Sequence, residues 1–496
     1  QDNSYSVRLL KDVEQKTLTL SSENNYLAQT TNGYMYITDG TSIYQSTNEG
    51  VTWGSAMSST GISYAIQGIV AFGNDLFIVT GDGGTNKQLI SYDLSANNFD
   101  TENLGSVFTG AFTGIWFAKG TLFVSGKSTT AEYLWQSSPF TANFSGDFET
   151  TDALVTTEPT HQFTSVTDAG AVVLAGNTDS NVYSLKIDGG TWSLKGQTQL
   201  AFEEIHSLAA TEGIVYIGTK GYQSNTGRFY TAELTVADNL YVLANRQLIK
   251  EWDNGVDQSP HSMFVTRDSV YMGIHESATE TNLWRYYLPT AGIARDLSVT
   301  HTSDTNAKVT GITQTGTTGG KFIILISGVG VYKQTDTFVS TGYIISALAD
   351  FYTSEKKQWV GAKLNTNGVS FGTVELATTT IPNDINNSAS NTWTPQISVA
   401  AGSGGEEEVL ELVQGRWMSA KLTITTSDTS QSPELLSFAV RGFQLVNDLV
   451  VDMPINISDQ VERPFRKALR VNGQGDLIYQ ALRNKEGQNV QLEIFR

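Results

Sequence analysis

The sequence predicts an all-β protein, and three observations predict it. The 496 residues include 46 glycines, only 9 prolines and 16% charged side chains. That mixture, rich also in serine and threonine, suits many short strands joined by turns. No stretch sustains a long 3.6-residue apolar period, which excludes a helical framework. The third observation is a unit that recurs through the first two-thirds of the chain. A chain this long exceeds one ordinary core, so two or three domains are expected.

The repeat begins with GYMYITDGTSIYQS from Gly33. Six segments share its shape, starting at Asn74, Gly120, Gly170, Gly213, Asp268 and Gly320. Each has a turn, a small-residue apolar strand, a polar loop and a second strand carrying tyrosine or tryptophan. A shorter apolar signal precedes each later unit, such as QGIVAF or IHSLAA, and reads as an inner strand. Strand units at intervals of about 40–55 residues are the signature of β-propeller blades. Seven blades are therefore expected over residues 1–343.

Within the first blade, IYQSTNEGVTWG (Ile43 to Gly54) differs by one letter from the Asp-box hairpin S-x-D-x-G-x-T-W. Its members are Ser46, Asn48, Gly50, Thr52 and Trp53. Asn48 can fold back onto turn N–H groups as aspartate would, and Gly50 supplies backbone freedom. KIDGGTW, Lys186 to Trp192, reads as a degenerate copy in the fourth unit. Nothing in this chemistry requires a substrate, so both hairpins are expected to be structural.

Charge and composition narrow the function. Net charge is −19, which repels nucleic-acid phosphates and anionic membranes. Cysteine is absent, excluding disulfides, thiolate metal sites and a cysteine nucleophile. No apolar run reaches the length of a membrane span, so no membrane insertion is expected. The start at Gln1, without methionine, suggests that something preceding it was removed or left out. Sialidases are the enzymes best known for Asp-boxes, and they need an arginine cluster for the substrate carboxylate. No arginine lies between Arg8 and Arg228. Other glycosidases need two facing carboxylates, whereas the adjacent Glu203 and Glu204 would point to opposite faces of a strand. His206 and His261 occupy equivalent positions in successive units and read as packing devices rather than metal ligands. The turns Thr80–Gly84 and Glu251–Asp257 are weak calcium patterns. The expectation is no enzyme, no cofactor and no metal.

After about Gly342 the repeat stops. Residues 344–445 contain strands such as KQWVGAKL and RWMSAKLTITT, whose alternation fits a β-sandwich with one face of each sheet buried. Residues 446–496 form a third, small α+β segment, with a short helix expected from about Asp476 and a strand from Val490. Its basic residues cluster in ERPFRKALR, where Arg463, Arg466, Lys467 and Arg470 surround Phe465. That cluster reads either as a solvated linker or as an assembly interface with an apolar anchor.

Three elements carry a family resemblance: Gly415-Arg416-Trp417, the turn from Thr429 to Phe438, and the ending with Ser458–Pro464 and Ala481–Glu493. With the propeller before them, they resemble minor tail proteins of tailed bacteriophages. The resemblance implies a non-enzymatic structural component of the virion, at the tail, tail tip or neck. It implies other virion or tail proteins as partners, several copies in a symmetric assembly, and a host-surface glycan as a further partner. The alternative is a secreted or cell-surface glycan-binding protein or glycosidase of the Asp-box type.

Overall fold

The computed structural model describes residues 8–444 except 22–23, 58–60, 83, 85, 94–97, 102–108, 138–147, 149, 254, 317–319, 347–348, 350–355, 368, 382–392, 404–405 and 411–413, together with 460–463 and 466–470. These residues are all β and turn, with no helix. They fall into two compact units, one from Leu10 to Val339 and the other from Ser340 onward, joined by Arg8 and Leu9.

Among the described residues, the first unit contains seven antiparallel sheets. The fifth sheet shows the pattern most fully: Glu203–Thr211, Ile214–Gly221, Gly227–Ala237 and Leu240–Trp252, each paired with the next. The innermost strands of the seven sheets are Leu27–Gln29, Ile66–Phe72, Ala111–Ala118, Phe163–Asp168, Glu203–Thr211, Met263–Val265 and Val309–Gln314. Each touches the next, and the last touches the first, which closes a ring. This arrangement is a β-propeller.

Burial explains the repeat seen in the sequence. The second strand of a sheet is packed on both faces by neighbouring sheets, so Met35–Asp39, Val173–Asn177 and Phe322–Ile326 are buried along their whole length. Such strands read as continuous apolar runs. Close approach of sheets also demands glycine: a Cβ on Gly311 would lie 2.6 Å from the Cβ of Leu27 in the first sheet. The fourth strands are less regular, from three residues at Val155–Thr157 to thirteen at Leu240–Trp252. In the first sheet three strands are described, and the chain after the Asp-box runs beside the third. There Gly54 N donates to Gln45 O at 2.9 Å and Met57 N to Ile43 O at 2.8 Å.

The seventh sheet takes its outer strand from the start of the chain. Lys11–Gln15 pairs antiparallel with Gly330–Phe338, from Lys11 opposite Phe338 to Gln15 opposite Tyr332. Val339 N donates to Leu10 O at 3.1 Å, so the entry and exit of the ring are bonded together.

The second unit has two antiparallel sheets. One orders Thr341–Ile345, Ser419–Thr425, Thr373–Thr379 and Thr394–Ala400 side by side. The other is built on Lys357–Thr366, which pairs with Glu406–Leu410, Gln414–Gly415 and Leu435–Gln444. Trp359, Leu364, Val374, Leu376, Leu422 and Ile424 are among its buried side chains. Trp393 is buried as well. Leu9 N donates to Ser432 Oγ at 2.8 Å and Arg8 pairs with Glu434 at 2.9 Å.

That clasp corrects the boundary drawn at 1–343: residues 8–9 belong with the C-terminal unit, because their partners are in the Thr429–Phe438 turn, and the ring ends at Val339. The basic residues of ERPFRKALR fall on two paired strands in backbone outline. Arg463 lies on Gln460–Arg463, paired with Arg466–Arg470, which carries Arg466, Lys467 and Arg470. Phe465, the helix expected from Asp476 and the strand from Val490 lie outside the described residues.

Candidate binding site at the mouth of the ring

The Asp-box folds as its residues suggest. Asn48 Oδ1 accepts from Thr52 N at 2.9 Å and from Ser46 Oγ at 3.0 Å, and Asn48 Nδ2 donates to Thr52 Oγ1 at 2.8 Å. Gly50 N donates to Ser46 Oγ at 2.9 Å. Gly50 has φ +74°, and a Cβ there would lie 2.8 Å from Ile323 of the seventh sheet. Lys333, also of the seventh sheet, donates to Glu49 O at 2.6 Å. Trp53 is half-buried against a cluster that includes Met35 and Ile37 of the first sheet and Ile323 of the seventh. The box therefore bolts the first sheet to the seventh, at the seam where the ring closes.

The fourth-sheet copy is different. Asp188 and Thr191 pair directly across Gly189 and Gly190, whose φ values are +60° and +89°. This is a two-residue turn of the twist-matched kind. Asp188 makes no turn bond; its carboxylate meets Lys195 at 2.9 Å and Lys186 at 3.6 Å. KIDGGTW is thus not an Asp-box, because the residue it lacks is the room the side chain needs to fold back.

The acidic and basic candidates are mostly committed to structure. Glu203 is buried and bonds Arg228 at 3.1 Å, Thr219 at 2.7 Å and the Tyr230 hydroxyl. Arg228 also holds Glu251 at 2.7 Å, so it is a strut between strands rather than a substrate clamp. Glu204, on the opposite face, lies 3.4 Å from His206. Asp82 folds onto Gly84 N and Asn86 in an Asx turn. No group of three or more His, Cys, Asp or Glu suited to a metal occurs among the described residues. Glu132 is fully buried; desolvation pushes its carboxyl up to about 7, opposed by a 2.6 Å bond from Thr113.

His206 and His261 do meet, with ring centroids 4.4 Å apart and edge to face. Burial and the neighbouring His206 push His261 down to about 4, against the pull of Asp257. Asp257 is itself half-buried, which raises its carboxyl, yet bonds from His261 and Ser259 hold it well below the usual carboxylate range. Lys220 reaches the same carboxylate at 3.1 Å. The histidines are therefore packing groups between the fifth and sixth sheets, joined to an acid.

Asp257 and Lys220 also form one wall of a cavity of about 590 Å³ that sequence reasoning did not find. It is lined by residues 24–26, by Lys220 and Asn225, by 255–257, and by Thr305, Asn306, Lys308 and Thr310. These come from the loops that lead into the first, sixth and seventh inner strands, plus the turn Gly221–Thr226 of the fifth sheet. Val256 and Tyr26 are the only apolar side chains in this lining. Four separate loops converge there, so no contiguous motif announced it.

No family model matches the chain, and no curated protein matches it. Among solved structures, the β-propeller domain of Cps50 (Swd1) from Myceliophteria thermophila is similar, at 13% identity and TM-score 0.44, over 66% of this chain and 100% of that one. YCF48 from Cyanidioschyzon merolae is similar at 13% identity and TM-score 0.45, over 65% of this chain and 98% of that one. A chain of the Mitotic Checkpoint Complex is similar at 12% identity and TM-score 0.44, over 67% and 95%.

Proposed function

We propose that this protein is a non-enzymatic structural component of a tailed-phage virion, with a seven-bladed propeller as its binding part. The two sheets of the second unit form a β-sandwich that, with residues 446–496, is the anchoring part. The observation that carries this reading is the insertion topology. The ring begins at Leu10 and ends at Val339 with those residues bonded, while the chain on either side belongs to one other unit. The clasp that unites that unit, Arg8 with Glu434, uses the turn on which the family resemblance rests. A ring closed on itself and a second unit closed separately suit attachment rather than turnover. The cavity chemistry agrees: its one carboxylate, Asp257, is occupied by Lys220 and His261, whereas glycoside hydrolysis needs two.

Mass spectrometry of purified particles tests this directly. The protein is expected there in several copies, and a chain lacking residues 446–496 is expected to fold but stay out of particles. Its absence from particles, with secretion into the medium, would favour the alternative of a free glycan-binding protein.

A further inference from the structure

We propose that the cavity at the mouth of the ring is a binding site for an acidic oligosaccharide, with Lys308 receiving the carboxylate and Phe202 with Tyr222 stacking on a neighbouring sugar ring. A volume of about 590 Å³ suits a small ligand or the end of a chain. The lining is amide and hydroxyl rather than apolar, as Asn225, Asn306 and Thr310 illustrate. Sugar hydroxyls need such donors and acceptors, whereas a docked peptide side chain needs an apolar recess.

Two features point to a ligand independently of the cavity's shape. The Thr310 hydroxyl has no hydrogen-bond partner among the described residues, an unmet bond that rotation of this side chain toward a ligand in the cavity can satisfy. Phe202 is 83% exposed and Tyr222 60% exposed. They are held together by Tyr222 N donating to Phe202 O at 2.9 Å. Phe202 also sits at φ +60°, a conformation costly for a bulky side chain and concentrated at functional sites. The turn that carries Tyr222 also carries Asn225 of the cavity wall, and Phe202 joins it from the separate turn before Glu203.

Charge selects the acid. Lys220 is already neutralised by Asp257 at 3.1 Å. Lys308 lines the cavity with no side-chain partner among the described residues. The net −19 of the chain does not cancel it at contact range, because salt screens charges beyond about 8 Å.

The test is a titration of the full chain, by calorimetry or saturation-transfer NMR, with uronate- and sialate-bearing oligosaccharides and their neutral counterparts. At least one acidic member should bind about tenfold more tightly than its neutral twin, as a charge-assisted bond implies. Lys308→Gln should abolish that preference, and Phe202→Ala with Tyr222→Ala should weaken both sugars about fivefold. Both variants should keep the wild-type melting temperature, since the altered side chains face solvent. Binding by no member, an unchanged preference in Lys308→Gln, or equal competition by poly-glutamate would overturn the proposal. Absence of the protein from particles would leave these titrations unaffected, so the two readings fail separately.

Discussion

The hairpins of the first and fourth sheets occupy the same place in the repeat and end in the same Gly-x-Thr-Trp or Gly-Thr-Trp letters, yet they are held by different forces. In the first, side-chain oxygens of Ser46 and Asn48 replace the missing backbone ladder. In the fourth, Gly189 and Gly190 let the ladder close on itself and the Asp188 side chain is left to surface lysines. The tryptophans differ in turn. Trp192 is buried edge to face against Phe123 at 5.2 Å, whereas Trp53 is only half-covered. One residue of loop length decides whether the polar group contributes to stability and how fully the aromatic one is buried.

Substitutions sharpen this contrast. Trp192→Ala should cost about 3–5 kcal/mol, as core aromatic truncations do, and Trp53→Ala about 2–3 kcal/mol because less area is lost. Equal losses in chemical denaturation would break the distinction. The turn residues should reverse the order of importance. Asn48→Ala removes three side-chain bonds and should cost about 1–2 kcal/mol. Asp188→Ala, which touches only solvated lysines, should leave the denaturation midpoint unchanged.

Two buried glutamates extend the same lesson to charge. Glu203 has Arg228 beside it, while Glu132 has a hydroxyl and an oxygen with no partner. A carboxyl raised from 4.5 to about 7 favours the folded state fully only below its unfolded value. That stability is lost as pH rises from about 4.5 through 7. Glu132→Gln should therefore be neutral at pH 4 and stabilising by about 2–3 kcal/mol at pH 8. A constant difference across that range would show that the carboxyl ionises freely in the fold.

The ring was legible in the sequence because the second and third strands of each sheet are buried enough to write their period plainly. Its closing strand, Lys11–Gln15, was not. KDVEQ is polar and half-exposed, and only its partner Gly330–Phe338, over three hundred residues away, makes it a strand. Likewise the Asp-box was legible because its bonds are local. The cavity at the mouth was not, since Lys220, Asp257, Lys308 and Thr310 are brought together by closure of the ring alone. Glu203, weighed in the sequence only as half of an adjacent carboxylate pair, is a buried strut held by Arg228, a role that burial sets and local sequence does not show.

The bonded entry and exit of the ring also have a mechanical consequence. Lys11–Gln15 and Gly330–Phe338 run antiparallel with Lys11 facing Phe338, so tension applied at Leu10 and Val339 acts on one end of the ladder. Such loading peels hydrogen bonds one after another instead of shearing them together. The seam is therefore the ring's weakest direction under pull, and the bolt from Lys333 to Glu49 lies across the gap that would open next.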